Sequence, residues 1–158
     1  MNQDMSGNQP PAAPQPLPPP PSPPVPLSDA DARTWAMLAH LSVLLNLVTG
    51  FFGPVGALII YFVFKDRSRY VAYQALQSLI FQLVWWVGGG FLTVALFALG
   101  GFLSFILIGL LCFPLALLTG LMPIVAVIYG IVAGIQCYQG QDFRYWLVGD
   151  WVRGTLTN

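Results

Sequence analysis

His40 is the only histidine of the chain and the residue whose type leaves most room for chemistry. It lies in an apolar stretch, close to Ser42 and Asn46. An ionisable group in such a place predicts either proton-sensitive gating or a ligand contact. A neutral imidazole hydrogen-bonded to another helix is the plainer interpretation. We favour it because the apolar segments contain no carboxylate that would pair with His40.

Three further polar side chains recur at helical spacing. Gln74, Ser78 and Gln82 occupy positions i, i+4 and i+8, which places them in one stripe of an otherwise apolar helix. With His40, this stripe is able to line the polar path of a small channel or carrier. We favour hydrogen bonds across helices instead, where such contacts contribute about 0.6 kcal/mol each.

No set of residues predicts catalysis or metal binding. Cys112 and Cys137 lie far apart and form neither a CxxC pair nor part of a ligand cluster. With one histidine and no Asp or Glu in the apolar segments, neither a zinc site nor a Ser-His-Asp triad is expected. We therefore expect no enzyme and no cofactor. A net charge of zero also argues against nucleic acid as a partner.

A long uncharged run of residues indicates the kind of helices that carry these side chains. From Val71 to Cys137 the chain has no Lys, Arg, Asp, Glu or His, a length far beyond the ~20 residues that one membrane-crossing helix needs. Charged residues make up 8% of the chain, against about 25% in soluble proteins. The sequence therefore predicts an all-α integral membrane protein whose main partner is the lipid bilayer.

The N-terminal part has a different character. Eleven of the fourteen prolines lie between Pro10 and Pro26, and proline favours extended polyproline II over helix. We interpret residues 1–27 as a disordered, Pro-rich cytoplasmic tail. A PxxP ligand for an SH3-like domain is the less favoured alternative. Ser28 or Asp29 is then predicted to cap the first helix.

Residues 28–137 are predicted to form a membrane domain with four embedded helical segments, the first two short and the last two long. Three glycines and Pro54 interrupt the first apolar region, which predicts a hairpin of two short helices. A charged turn at residues 65–69 follows, and the third helix either fades at Gly88–Gly90 or continues. The predicted segments are about 32–48, 54–64, 70–99 and 102–135.

The last apolar segment is too long to cross a bilayer straight. Its length of about 51 Å exceeds a hydrocarbon core of about 30 Å, so we expect kinks at Pro114 and Pro123. Ala126, Gly130 and Gly134 repeat at four-residue spacing, and such a small-residue face lets another helix approach closely. From this face we predict a homo- or hetero-oligomer formed through helix packing.

Residues 138–158 turn polar again. Aromatic residues such as Trp146 and Trp151 alternate there with charged ones. This pattern is typical of a segment that lies along the headgroups.

The positions of the charges predict sidedness. All charged groups fall before Trp35, between Phe64 and Tyr70, or after Cys137. Because Lys and Arg in short loops favour the cytoplasm, an even number of passes separates these regions. Four segments, with both termini cytoplasmic in the plasma or inner membrane, satisfy this condition. A re-entrant first hairpin gives the same sidedness. A single tilted pass before residue 65 would instead give three crossings.

Several short strings resemble a known family. They are Trp-Ala-Met-Leu-Ala-His-Leu-Ser at 35–42, Gly53-Pro54, Lys65-Asp66, Gln74-Ala75-Leu76 and Phe81-Gln82. Together they resemble small bacterial and archaeal multi-pass membrane proteins of unknown function. That family is in turn distantly similar to the small membrane subunit of the chloroplast inner-envelope import translocon. The resemblance covers about residues 33–151.

The resemblance implies a translocon-like or membrane-assembly role without enzymatic activity. The alternative from the residues themselves is the small channel or carrier described above. Reconstitution separates the two, since only a channel gives a flux that depends on His40.

Overall fold

The computed structural model describes residues 24–157, and this range is helical without any strand. The α-helices are α1 Asp29–Leu41, α2 Leu45–Thr49, α3 Gly53–Phe64, α4 Arg69–Gln82, α5 Gly89–Leu103, α6 Cys112–Gly120, α7 Met122–Tyr138 and α8 Gly149–Thr157. Short 3-10 segments lie at Ser42–Leu44, Ser104–Ile106 and Ile108–Leu111, and a π-helix lies at Leu83–Gly88. Of the predicted Pro-rich tail, residues 1–23 lie outside the described residues.

Local chemistry explains where the helices begin and end. Ser28 caps α1 because its hydroxyl oxygen accepts the Asp31 N–H at 3.1 Å. Ser68 caps α4 in the same way, by accepting the Val71 N–H at 3.3 Å. Gly50 ends α2 in the left-handed region, with φ of 81°. These signals fix a turn at each end of α3.

Two continuous helical runs are long and apolar enough to cross a membrane, Arg69–Ile106 with 38 residues and Ile108–Tyr138 with 31. In each, only 11% of the most apolar stretch is buried inside the protein. A soluble core helix would be mostly buried, so these runs require an apolar surrounding. The all-α prediction is confirmed.

The prediction of four membrane-embedded segments needs correction, because two helical runs rather than four are long and apolar enough to cross a membrane. α3 has 12 residues and spans about 18 Å, short of a core of about 30 Å. The run from Asp29 to Thr49 has enough residues, but it begins with Asp29, Asp31 and Arg33 and does not reach the apolar character of the two long runs. The three glycines and Pro54 therefore divide the first apolar region into a piece with charged residues at its start and a piece, α3, that is too short.

The glycines of the third helix do not end it. The π-helix over Leu83–Gly88 carries the helical run into α5, and the run continues to Ile106. Leu121 separates α6 from α7 within the last run, and Pro123 lies in the first turn of α7. Proline is tolerated there because the first turn of a helix has no use for its missing N–H.

The three charged stretches meet at one end of the molecule. The Arg67 guanidinium donates a hydrogen bond from Nε to the Val25 carbonyl at 3.1 Å, and the Tyr70 hydroxyl donates to the Gln141 carbonyl at 3.1 Å. The opposite end is the turn between α5 and α6, where Phe105 is 94% exposed. The described part of the chain thus has a charged end and an uncharged, largely apolar end.

The C-terminal strap, which we define as residues 142–153, folds back onto the bundle at the charged end. Its side chains at Phe143, Tyr145, Val148 and Val152 are buried, whereas Trp146 and Trp151 are exposed. The strap packs against α4 through α8 and through its turn. The segment predicted to lie along the headgroups therefore has a buried face as well as an exposed aromatic one.

Candidate functional site

The polar side chains of the bundle lie at the contact between α1 and α4. These helices run side by side in the same direction, so that successive turns of one meet successive turns of the other. We name the buried polar side chains there the polar network; its members are His40, Ser42, Asn46, Gln74, Gln77, Ser78, Gln82 and Tyr145. Each of them is buried, and His40, Gln74, Gln77 and Ser78 have no exposed surface.

His40 bridges α4 and the C-terminal strap. Its Nδ1 lies 3.0 Å from the Tyr145 hydroxyl, and its Nε2 lies 3.0 Å from Oε1 of Gln74. An amide oxygen only accepts hydrogen bonds, so Nε2 must carry the proton. Nδ1 then accepts from the Tyr145 hydroxyl. The two contacts together select one tautomer of a neutral imidazole.

The Tyr145 hydroxyl is suited to this role. Burial raises the pKa of Tyr145 well above its ordinary value, so the phenol stays protonated and available as a donor. Its ring stacks on Phe81 with centroids 3.9 Å apart. Packing of the ring therefore fixes the position of the hydroxyl.

Gln74 and Gln77 attach the strap to α4. Nε2 of Gln74 donates to an Asp142 carboxylate oxygen at 3.2 Å and to the Phe143 carbonyl at 3.3 Å. Nε2 of Gln77 donates to the same carbonyl at 2.8 Å, while its Oε1 accepts the Tyr145 N–H at 3.3 Å. Two glutamine amides thus satisfy the backbone of the strap where it enters the bundle.

The other half of the polar network ties α4 to both arms of the first hairpin. Nε2 of Gln82 donates to the hydroxyls of Ser42 and Ser78, both at 3.0 Å. Oε1 of Gln82 accepts from Nδ2 of Asn46 at 3.3 Å. Oδ1 of Asn46 accepts the Gly53 N–H at 2.7 Å, at the start of α3. One glutamine therefore fixes three elements relative to one another.

All five residues predicted as functional polar groups, His40, Asn46, Gln74, Ser78 and Gln82, come together in this network. Sequence reasoning missed Gln77 and Tyr145. Gln77 follows Gln74 by three residues on the same helical face, so its spacing was available as a signal. Tyr145 is 105 residues from His40, and no local sequence pattern predicts their contact.

The small-residue face of α7 packs within the same chain. Ala126, Gly130 and Gly134 are buried, and α7 lies against α1 along this face. A Cβ atom placed on Gly130 would be 2.8 Å from Cγ1 of Val43, and one on Gly134 would be 3.2 Å from Leu41. The close approach that these residues permit is therefore used by α1 of the same chain.

The polar network is closed and compensated. In the part of the chain that the structure describes, no buried side-chain nitrogen or oxygen lacks a hydrogen-bond partner. No group of three or more His, Cys, Asp or Glu among residues 24–157 is placed to hold a metal ion. What the arrangement does chemically is to lock α1, α3, α4 and the strap into one register, since any shift leaves buried polar groups unpaired.

Comparison with known proteins gives this bundle a family. A family model described as the magnetosome magnetite crystal formation protein family matches residues 31–152. The chain belongs to this family. The magnetosome family match begins in the first turns of α1 and ends in α8, so it encloses the whole polar network.

The magnetosome family is compatible with the predicted likeness to small membrane proteins of unknown function. It gives no support to the likeness with the chloroplast import translocon, which stays a prediction. No curated protein and no solved structure matches the chain. Family membership and the two apolar runs together identify a membrane protein.

Proposed function

We propose that the chain serves magnetite crystal formation as a non-enzymatic membrane component, which acts by assembling with itself or with partner proteins. The crystal-formation part of this proposal comes from the family to which the chain belongs. The assembly part rests on the residues. A translocon-like role is one form that such assembly can take.

The observation that carries the proposal is the closed polar network. Its hydrogen bonds are all internal to the chain, and they connect helices rather than line an open path. A substrate or ion would have to displace these bonds, which costs about 1–3 kcal/mol for each buried group left unpaired. A network of this kind favours a rigid structural unit whose outer apolar faces contact lipid and other proteins.

We also propose that both termini face the cytoplasm of the plasma or inner membrane. The two long runs then form a hairpin of two crossings, with α1 to α3 inserted beside them as a re-entrant hairpin. Trp86 Nε1 donates to the Gly50 carbonyl at 2.7 Å, so the turn of the first hairpin lies beside the seventeenth residue after Arg69, about 26 Å along that helix. Reporter fusions after Pro10, Arg67 and Asn158 are expected to report the cytoplasmic side. A periplasmic signal from Pro10 alone would require three crossings.

A small channel or carrier is the second candidate. Polar groups follow one another without interruption from Asp142 through Gln74 and His40, and from Ser78 through Gln82 to Asn46. Such a series of groups is also what a proton path requires. Whether protons move along this series of groups therefore distinguishes a channel from a structural component.

Flux and crosslinking test the proposal together. Liposomes that contain the purified protein are expected to show no pH-dependent proton flux above protein-free liposomes. A photo-crosslinking amino acid at Val94, which is 69% exposed, should yield adducts with a second copy or with other membrane proteins in native membranes. The same group at buried Ala133 should not.

The opposite outcome favours the channel. If wild type gives a proton flux that disappears in His40→Ala, and no crosslinked adducts form, the assembly role is wrong and the protein is a channel or carrier. In a magnetite-forming host, deletion of the gene is expected to alter crystal size, and the wild-type chain should restore it. Unchanged crystals would contradict the role in crystal formation, which comes from the family. The assembly role would then be decided by the crosslinking experiment.

A further inference from the structure

A groove of about 540 Å³ opens at the charged end of the bundle, between α3, the start of α4 and the C-terminal strap. Its charged lining consists of Lys65, Asp66, Arg69, Asp142 and Arg153. Three cations thus face two carboxylates. No member of the polar network lines this groove, and the two features are connected through the hydrogen bond from Gln74 to Asp142.

One wall of the groove is fixed by an ion pair. The Arg153 guanidinium is paired with the Asp142 carboxylate and lies over the Tyr73 ring, with Cζ 4.8 Å from the ring centroid. The hydrogen bond that Arg153 donates to Asp142 raises the pKa of Arg153 above its ordinary value. Asp142 is held in turn by Gln74. The positions of these side chains are therefore fixed, and Arg153 neutralises the negative charge of Asp142.

The other wall carries three further charged side chains. Lys65 follows the last turn of α3, Arg69 opens α4, and Asp66 lies between them in the turn. Two positive charges and one negative charge therefore converge on the groove opposite the fixed ion pair. A phosphate group would be attracted by the two cations, while the carboxylate of Asp66 would accept a hydrogen bond from a donor next to that phosphate.

The groove borders the exposed apolar surface of the bundle. Immediately before Lys65, Phe62 is 58% and Val63 is 54% exposed on the outer face of α3. Tyr138, at the end of α7, is 59% exposed at the same end of the bundle. The exposed apolar surface thus stops where the groove begins, and aromatic residues mark such a boundary between hydrocarbon and water.

We propose that this groove binds a phosphodiester headgroup that carries hydrogen-bond donors, with Lys65 and Arg69 on the phosphate and Asp66 on the donor. Phosphatidylglycerol and phosphatidylethanolamine have this chemistry, whereas phosphatidylcholine has the phosphate but no donor. A soluble glycerophosphodiester shares it too. Basic pockets beside membrane helices are known to take lipid headgroups. The proposal requires a bilayer at this level and is independent of the assembly role.

The test measures the thermal stability of the full chain in neutral detergent. Dihexanoyl phosphatidylglycerol is the lipid probe, dihexanoyl phosphatidylcholine the headgroup control and glycerophosphoglycerol the soluble source. We expect the first to raise the melting temperature in a saturable way and the second to have a much smaller effect. The double variant Lys65→Gln/Arg69→Gln should weaken the apparent affinity by about 30-fold, since each cation near a membrane surface contributes roughly a factor of five.

Arg144→Gln is the matched control. Arg144 lies at the same end of the molecule but pairs with Asp150 at 3.1 Å and does not line the groove, so its variant should bind the lipid probe like wild type. A soluble phosphodiester as effective as the lipid would assign the site to a free ligand. Equal stabilisation of wild type and the double variant, or none by either phosphodiester, would overturn the proposal. Circular dichroism of each variant verifies that it is folded.

Discussion

His40→Ala is expected to lower the free energy of unfolding by about 2–4 kcal/mol. The change removes the acceptor of the Tyr145 hydroxyl and one of the donors to Oε1 of Gln74, both of which are buried. Oε1 of Gln74 keeps the amide of Gln77 as a donor, so most of the loss comes from the phenol and from the cavity. Thermal melting in detergent, followed by circular dichroism, measures this effect.

A double-mutant cycle makes the prediction specific. Tyr145→Phe removes only the hydroxyl and leaves Nδ1 of His40 without its donor, so it should cost about 1–2 kcal/mol. In the His40→Ala background the same change should cost about 1 kcal/mol less, because its partner is already gone. Gln139→Ala, which removes an exposed amide at the end of α7, should be nearly neutral. A cycle whose single effects simply add would show that the His40–Tyr145 bond does not stabilise the bundle.

Five of the eight residues of the polar network could be predicted from the sequence, and there is a physical reason why the others could not. Gln74, Ser78 and Gln82 share a face because helical periodicity fixes their spacing, whatever the rest of the chain does. His40 was recognisable because an ionisable group in an apolar stretch needs a partner. The identity of that partner depends on how the C-terminal strap folds back, and aromatic residues among charges predict only an interface.

The number of long apolar helices was harder to predict than their existence. α3 and the two long runs are similarly apolar, so composition alone does not separate a short inserted helix from a crossing one. The difference lies in length, which the breaker cluster at residues 49–56 limits. The glycines at 88–90 look like a comparable breaker but are absorbed into helix, since a π-helix and α5 continue through them.

The small-residue face of α7 could be predicted from the sequence, but the helix that packs against it could not. Spacing alone shows that a helix is able to approach Gly130 and Gly134, whether it belongs to this chain or to another. The structure places α1 there, with Val43 above Gly130 and Leu41 above Gly134. Whether this contact holds the fold or an oligomer together is therefore a question for a substitution.

Gly130→Leu is expected to destabilise the bundle by about 3 kcal/mol or more. Its Cβ alone would lie 2.8 Å from Cγ1 of Val43 and 3.3 Å from the His40 carbonyl oxygen, and leucine adds three further carbons. Overpacking by a few methylene groups costs typically about 1–3 kcal/mol. Here α1 must also move, and with it His40, so that hydrogen bonds of the polar network are lost as well. Thermal melting in detergent measures the combined effect.

Gly90→Leu provides the matched control, because it adds the same side chain to an apolar helix where no atom lies within 4 Å of the new Cβ. It should melt close to wild type. The particle mass in detergent, measured by light scattering, then distinguishes the two roles of the α7 face. If the face holds α1, Gly130→Leu unfolds at lower temperature while its oligomeric mass below that temperature stays that of wild type. If Gly130→Leu instead keeps the wild-type melting temperature and loses mass, the face joins separate chains, and the packing of α7 on α1 described above is wrong.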